Sequence, residues 1–154
     1  MRTNRLKGGY CLVFLLDSEI SLKIKSKTFS LMPGTYIYCG SALNSLDARV
    51  ERHIRNFKGS RIKRFWHIDY LLPISKHLSV VKAAAHSNIE CKLVYALSGK
   101  GLKPVPRFGS SDCRSGCKGH LLYTKGSLTL ATRQAFSSFT ELGLSPEVLE
   151  LNNA

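Results

Sequence analysis

The run Tyr10-Cys-Leu-Val-Phe-Leu-Leu16 is the strongest constraint on this chain. Side chains of a strand alternate between two faces, and here both alternating sets are apolar. Neither face can turn to water, which suits a central strand of a covered sheet. The run is far too short to cross a bilayer. A chain of 154 residues is long enough for one domain with a real core.

Other segments supply neighbours for that strand. Residues 21–25 (Ser-Leu-Lys-Ile-Lys) alternate apolar and basic side chains, as a half-exposed strand does. Pro33-Gly34 marks a turn before a strand over 35–39. Ser45 is a good N-cap with Asp47 in the first turn, and Leu46, Val50, Ile54 and Phe57 form a helical apolar stripe. Alternation over 65–72 predicts a strand with Trp66, Ile68, Tyr70 and Leu72 on one face, His67 and Asp69 on the other, and Pro73 closing it. Residues 80–85 carry a weaker strand signal. A second helix is expected near Ser87, with Ile89, Leu93 and Ala96 or Leu97 inward and Gly99 and Gly101 ending it. Residues 102–119 read as a loop and 120–123 as a short strand. Residues 128–142 read as a helix burying Leu128, Phe136, Phe139 and Leu142. The expected fold is α/β: a single domain over 8–123 with a small mixed or antiparallel sheet flanked by helices, and a helical extension over 124–154 packed on it.

Charge narrows the partners. The chain carries 23 Lys plus Arg against 10 Asp plus Glu, formally +13, while residues 124–154 are net −1. Such a surface attracts polyanions, so nucleic acid is the expected partner, DNA ahead of RNA. No basic amphipathic helix points to a membrane. The basic start before the Tyr10 run faintly imitates a signal peptide, but Asp17 and Glu19 follow and no small-residue cleavage site appears, so a cytoplasmic protein is expected. The densest basic stretch holds Arg52, Arg55, Lys58, Arg61, Lys63 and Arg64, the candidate nucleic-acid contacts. On a helical wheel Arg52, Arg55 and Lys58 point away from the apolar stripe. Arg49 and His53 sit one turn apart at its edge, where an arginine can grip a phosphate with a bidentate fork. The plainer reading is a solvated helix face with a partly buried histidine.

The tyrosines add a pattern. Gly8-Gly9-Tyr10, Gly34-Thr-Tyr-Ile-Tyr-Cys-Gly-Ser-Ala42, Arg49-x-x-x-His53, Trp66-His-Ile-Asp-Tyr-Leu-Leu72, Glu90-Cys91, Phe108-Gly-Ser-Ser-Asp-Cys113 and His120-Leu-Leu-Tyr123 together resemble the GIY-YIG nuclease superfamily, in its Uri-type branch. The resemblance covers residues 8–123. It implies a metal-dependent endonuclease that hydrolyses DNA phosphodiesters, with a repair role by analogy. It further implies that Tyr10 activates the attacking water, Tyr38 helps position that water or the phosphate, and Arg49, with His53 on the same helix, stabilises the charge of the reacting phosphate. Glu90 matches the glutamate that holds a single Mg²⁺ or Mn²⁺. A nucleophile, a charge clamp and a Lewis acid are what such cleavage needs. The alternative is a nucleic-acid-binding module, for DNA or RNA, that keeps the fold without catalysis.

Departures from the family pattern leave gaps. Tyr10 and Tyr38 are farther apart than usual, and Leu102 stands where a late asparagine is expected. Tyr36, Ser41, His67, Asp69, Asp112 and His120 are candidates to complete the site. Plainer readings compete: Ser87 and Glu90 form a Ser-x-x-Glu capping box, His67 and Asp69 pair on a strand face, Tyr36 and Tyr38 are ordinary β-formers, and Trp66 is core. Cys91, Cys113, Cys117 and His120 could supply a structural Zn²⁺ set, although buried or free thiols are the default for five cysteines in a reducing compartment.

Overall fold

The apolar run becomes β1 (Gly8–Leu16), and it is paired along both edges. On one side lies β4 (Gly34–Ala42) and on the other β5 (Lys76–Ala84), both antiparallel. The computed structural model describes residues 6–109 and 119–151. Among these, the short strands β6 (Lys103–Pro104) and β7 (Leu121–Thr124) extend the sheet beyond β4. A last strand, β8 (Glu147–Leu151), extends it beyond β5. The order is β6-β7-β4-β1-β5-β8, with every pair antiparallel. The remaining strands, β2 (Ile20–Ile24) and β3 (Lys27–Leu31), form a separate hairpin.

Alternation along β1 and β4 sorts the core into two halves. Tyr10, Leu12, Phe14, Tyr36 and Tyr38 face one layer, built from helix α1 (Leu46–Phe57), the β2–β3 hairpin and two 3₁₀ turns. Cys11, Val13, Ile37 and Cys39 face the other, built from α2 (Glu90–Ser98) and α3 (Leu128–Glu141). Ser45 caps α1 by accepting the Ala48 amide, and Leu46, Val50 and Phe57 bury the stripe below it. Each such side chain contributes roughly 1.5–3 kcal/mol by leaving water.

Four elements differ from their sequence patterns. Residues 65–72 are no strand but 3₁₀ turns, His67–Tyr70 and Leu72–Ile74. The cause is Asp69, whose Oδ2 accepts the amides of Phe65 and Trp66 and folds the chain back before a ladder can form. Helix α2 begins at Glu90 with Ile89 before it, so Ser87 caps nothing there. Helix α3 buries Ala131, Ala135, Ser138 and Phe139, while Phe136 is exposed. Small side chains let α3 lie close to the sheet, which volume-based reading of large residues misses. The strand β8 has no alternation to announce it, because Val148 and Leu149 are both exposed on an edge.

The turn-forming Asp69 is fully buried, and Arg52 grips its carboxylate at 2.8 and 3.0 Å. Burial alone would raise its pKa, but Arg52 and the Trp66 and Phe65 amides outweigh that and hold it below the usual carboxylate range. Replacing Asp69 by Ala would strand Arg52 and two amides. The expected loss is about 3–5 kcal/mol of stability, read as a lower urea midpoint at unchanged slope. A loss under about 1 kcal/mol, the value of an exposed pair, would contradict this role.

Candidate active site

Antiparallel register sets Tyr10 of β1 opposite Gly40 of β4. The phenol ring lies across the space a β-carbon at Gly40 would occupy, so any side chain there would collide with it. Gly9 does the same for Ile89, whose side chain fills the space beside it and seats the start of α2. The glycines flanking the two tyrosines are therefore gaps that let aromatic and helical groups approach the backbone.

Helix α1 lays Arg49 and His53 above Tyr10. The Tyr10 hydroxyl and His53 Nε2 share a 3.0 Å hydrogen bond, with ring centroids 5.3 Å apart. His53 is completely buried, and its Nδ1 has no partner among the described residues. While Tyr10 is protonated its hydroxyl can donate to Nε2; once the phenol is ionised, a proton on Nε2 donates to the Tyr10 oxygen instead. Arg49 also borders that oxygen, so two donors converge on it. Burial nonetheless dominates and pushes the Tyr10 phenol up to about 12, with Arg49 opposing. Burial likewise lowers His53 to about 3 and raises Tyr38, next to Tyr10, well above its ordinary value.

Arg49 is itself positioned from two sides. Its Nη1 donates to the Ser41 carbonyl at 3.2 Å, and its guanidinium lies 4.4 Å from the Trp66 ring centroid. It makes no ion pair among the described residues, because Asp69 is taken by Arg52. Its charge is available to an incoming anion.

Ser41 joins this cluster to the far end of β4. Its hydroxyl donates to the Glu90 carboxylate and accepts the Ile89 amide at 3.1 Å. Ser41, brought by the fold, thus ties the start of α2 to β4. Glu90 stands in the first turn of α2, where the helix dipole favours a carboxylate. It is half-buried rather than sealed, and a carboxylate oxygen is the kind of ligand that Mg²⁺ or Mn²⁺ takes.

A family model described as a domain of unknown function, DUF123, matches residues 9–141. The chain belongs to this family. The match runs from β1 through α3 and so includes Tyr10, Tyr38, Arg49, His53 and Glu90. No curated protein and no solved structure matches the chain.

Other sequence candidates of this DUF123 chain fall elsewhere. Tyr36 lies opposite Phe14, and its hydroxyl donates to the Met32 carbonyl, so the fold does not bring it to Tyr10. His67 and Asp69 are not a pair: His67 Nδ1 accepts the Gly109 amide at 2.9 Å, and Asp69 holds Arg52. Arg52 is thereby corrected from a solvated phosphate contact to an ion-paired, mostly buried side chain. Arg55, Lys58, Arg61, Lys63 and Arg64 are exposed, as expected. Leu102 is buried and apolar, so it cannot replace an asparagine. Cys91 Sγ and His120 Nε2 come within 3.7 Å, while Asp112, Cys113 and Cys117 lie outside the described residues. Among the described residues no three ligating side chains cluster. Sequence reading placed Trp66 in the core. It is only half-buried, and its contact with Arg49 and Arg52 makes it a platform for both guanidiniums. The only signal for that was a lone tryptophan beside a basic stretch.

The lowered His53 makes stability pH-dependent with a definite sign. Between about 6.5 and about 3 the unfolded chain takes up a proton that the folded chain refuses. Stability should therefore fall on acidification through that window, by a few kcal/mol for His53. His67, also lowered, acts in the same direction, whereas Asp69 loses its contribution only below the ordinary carboxylate range. Melting temperatures of wild type and His53→Gln from pH 7 to pH 4 should converge as pH falls. Parallel curves would show that His53 is not the proton-refusing group.

Proposed function

We propose that this protein is a metal-dependent endonuclease of the GIY-YIG superfamily, Uri-type, which hydrolyses phosphodiester bonds in DNA. The observation that carries the reading is the convergence of Tyr10, His53 and Arg49 at one end of β1 and β4, with Glu90 joined to them through Ser41. These are the residues that the family resemblance selects, and three separate elements bring them together. The basic excess of the chain supports a polyanionic substrate.

In this reading Tyr10 takes the proton of the attacking water. Two donors, His53 Nε2–H and Arg49, support the negative oxygen that Tyr10 must carry to do so. Arg49, held by Trp66 and the Ser41 carbonyl, faces the charge that builds on the phosphate oxygens. Glu90 would hold a Mg²⁺ or Mn²⁺, which when bound supplies Lewis-acid stabilisation near the leaving oxygen. Tyr38, buried against Tyr10, limits where the phosphate can sit. The exposed Arg55, Lys58, Arg61, Lys63 and Arg64 retain the duplex through backbone phosphates.

The test is cleavage of duplex, branched, damaged and single-stranded DNA, with and without Mg²⁺ or Mn²⁺. Wild type should cut at least one substrate only when metal is present. Arg49→Ala should retain the fold and lose roughly two to three orders of magnitude in rate. Glu90→Gln keeps an acceptor for Ser41, so its metal-free melting temperature should barely move while metal-dependent cleavage collapses. Near wild-type rates in either variant would misplace the site. Binding without cleavage on every substrate would favour the non-catalytic alternative.

Rate against pH gives an independent check. The Tyr10 phenol titrates at about 12, so its ionised fraction grows as pH rises toward that value. Cleavage should then climb by about tenfold per unit above neutrality until another step limits it. A flat profile would remove Tyr10 as the proton acceptor.

A further inference from the structure

Trp66, which supports Arg49, also lines a cavity of about 640 Å³. Its wall includes Lys25, Arg64, Phe65, Trp66, His67 and Tyr70. Four of these carry aromatic rings, two are cations, and no carboxylate is among the lining residues. Phe65 is 66% exposed, which core packing does not explain for so large an apolar side chain. Its ring lies 6.0 Å from that of Trp66, tilted by 57°, with Lys63 Nζ 5.3 Å from its centroid. Arg64 lies over Tyr70 at 4.8 Å. Lys25 is held at the rim by the tip of the β2–β3 hairpin, where its φ of 57° is unusual for a residue with a side chain. The Gly109 amide engages His67 Nδ1, so neutral His67 carries its proton on Nε2 and adds a further hydrogen-bond donor to the wall.

A site for phosphate alone would need cations without so many rings. A site for an apolar ligand would not be rimmed by Lys25 and Arg64. The exposed Phe65 ring beside Trp66, a donor and flanking cations match a base attached to its own phosphates. We infer that this cavity receives an unstacked nucleobase, so that the substrate carries a base displaced from the helix beside the scissile phosphate. The inference rests on the nuclease reading for its nucleic-acid ligand and adds to it a preference for DNA with an unpaired base. Trp66 couples the two sites, since a base stacked in the cavity meets the ring that positions Arg49.

The experiment is equilibrium binding in EDTA, where no cleavage is required. The probes are a fully paired DNA duplex and the same duplex with one unpaired base. Wild type should bind the second more tightly, by about 5-fold or more, as expected for one stacked base. Trp66 is the single tryptophan of the chain, so its emission reports the cavity directly. The unpaired-base duplex should quench it more than the paired duplex does. Phe65→Ala, at an exposed position, should keep its melting temperature and its affinity for paired duplex but lose the preference. Phe65→Tyr should keep the preference. Equal wild-type affinity for both duplexes, or a preference that survives Phe65→Ala, would overturn the cavity's role while leaving the nuclease reading standing. Failure to bind either duplex would instead remove the nucleic-acid reading on which the inference rests.

Discussion

The strand β1 has a hydrogen-bonded neighbour on each edge and a packed layer on each face, and the rest of the molecule is arranged around that confinement. Its alternation decides which residues meet which layer. Even-numbered side chains face α1 and the 3₁₀ turns, and odd-numbered ones face α2 and α3. Tyr10 is therefore committed to the α1 layer, and its polar oxygen must find partners inside it. His53 and Arg49 are those partners. Burial penalises the phenolate and the imidazolium alike, which is why both groups stay neutral at ordinary pH.

Arginine placement on α1 divides two tasks between adjacent turns. Arg52 neutralises Asp69, and Asp69 in turn holds the amides of Phe65 and Trp66. The Trp66 ring set by that turn then carries Arg49. A structural ion pair and a guanidinium with no ion pair among the described residues thus share one aromatic platform. Loss of the ion pair would disturb the site indirectly, because the platform and not the guanidinium would move. A buried ion pair is often no more stabilising than an apolar substitute. Its value here lies in fixing the geometry of the turn.

Much of the fold was legible because it follows from local periodicity. Both tyrosine-bearing strands and the Ser45-capped helix showed their spacing in the residues, as α3 showed its extent though not its buried face. Where a tertiary contact overrode the local pattern, legibility ended. Residues 65–72 alternate like a strand, yet Asp69, its carboxylate held by Arg52 seventeen residues earlier, captures the amides of Phe65 and Trp66. Strand β8 has no pattern of its own and exists because β5 offers an open edge. Glu90 looked like a cap for its own helix. Its actual partner, Ser41, is forty-nine residues away in sequence and reaches it only because β4 ends at the start of α2.

The sequence by itself determined that a doubly apolar strand would lie at the centre, that Arg49 and His53 would share a helix edge, and that a strongly basic surface would result. These depend on residue type and spacing over one or two turns or a single strand, so no distant contact can undo them. Only the tertiary structure decided that Arg52 rather than Arg49 pairs with Asp69, that Trp66 is a platform rather than core, and that Tyr10 rather than Tyr36 meets His53. Those outcomes depend on strand register and on competition for one carboxylate, and both are settled only when segments far apart in the chain are brought into contact.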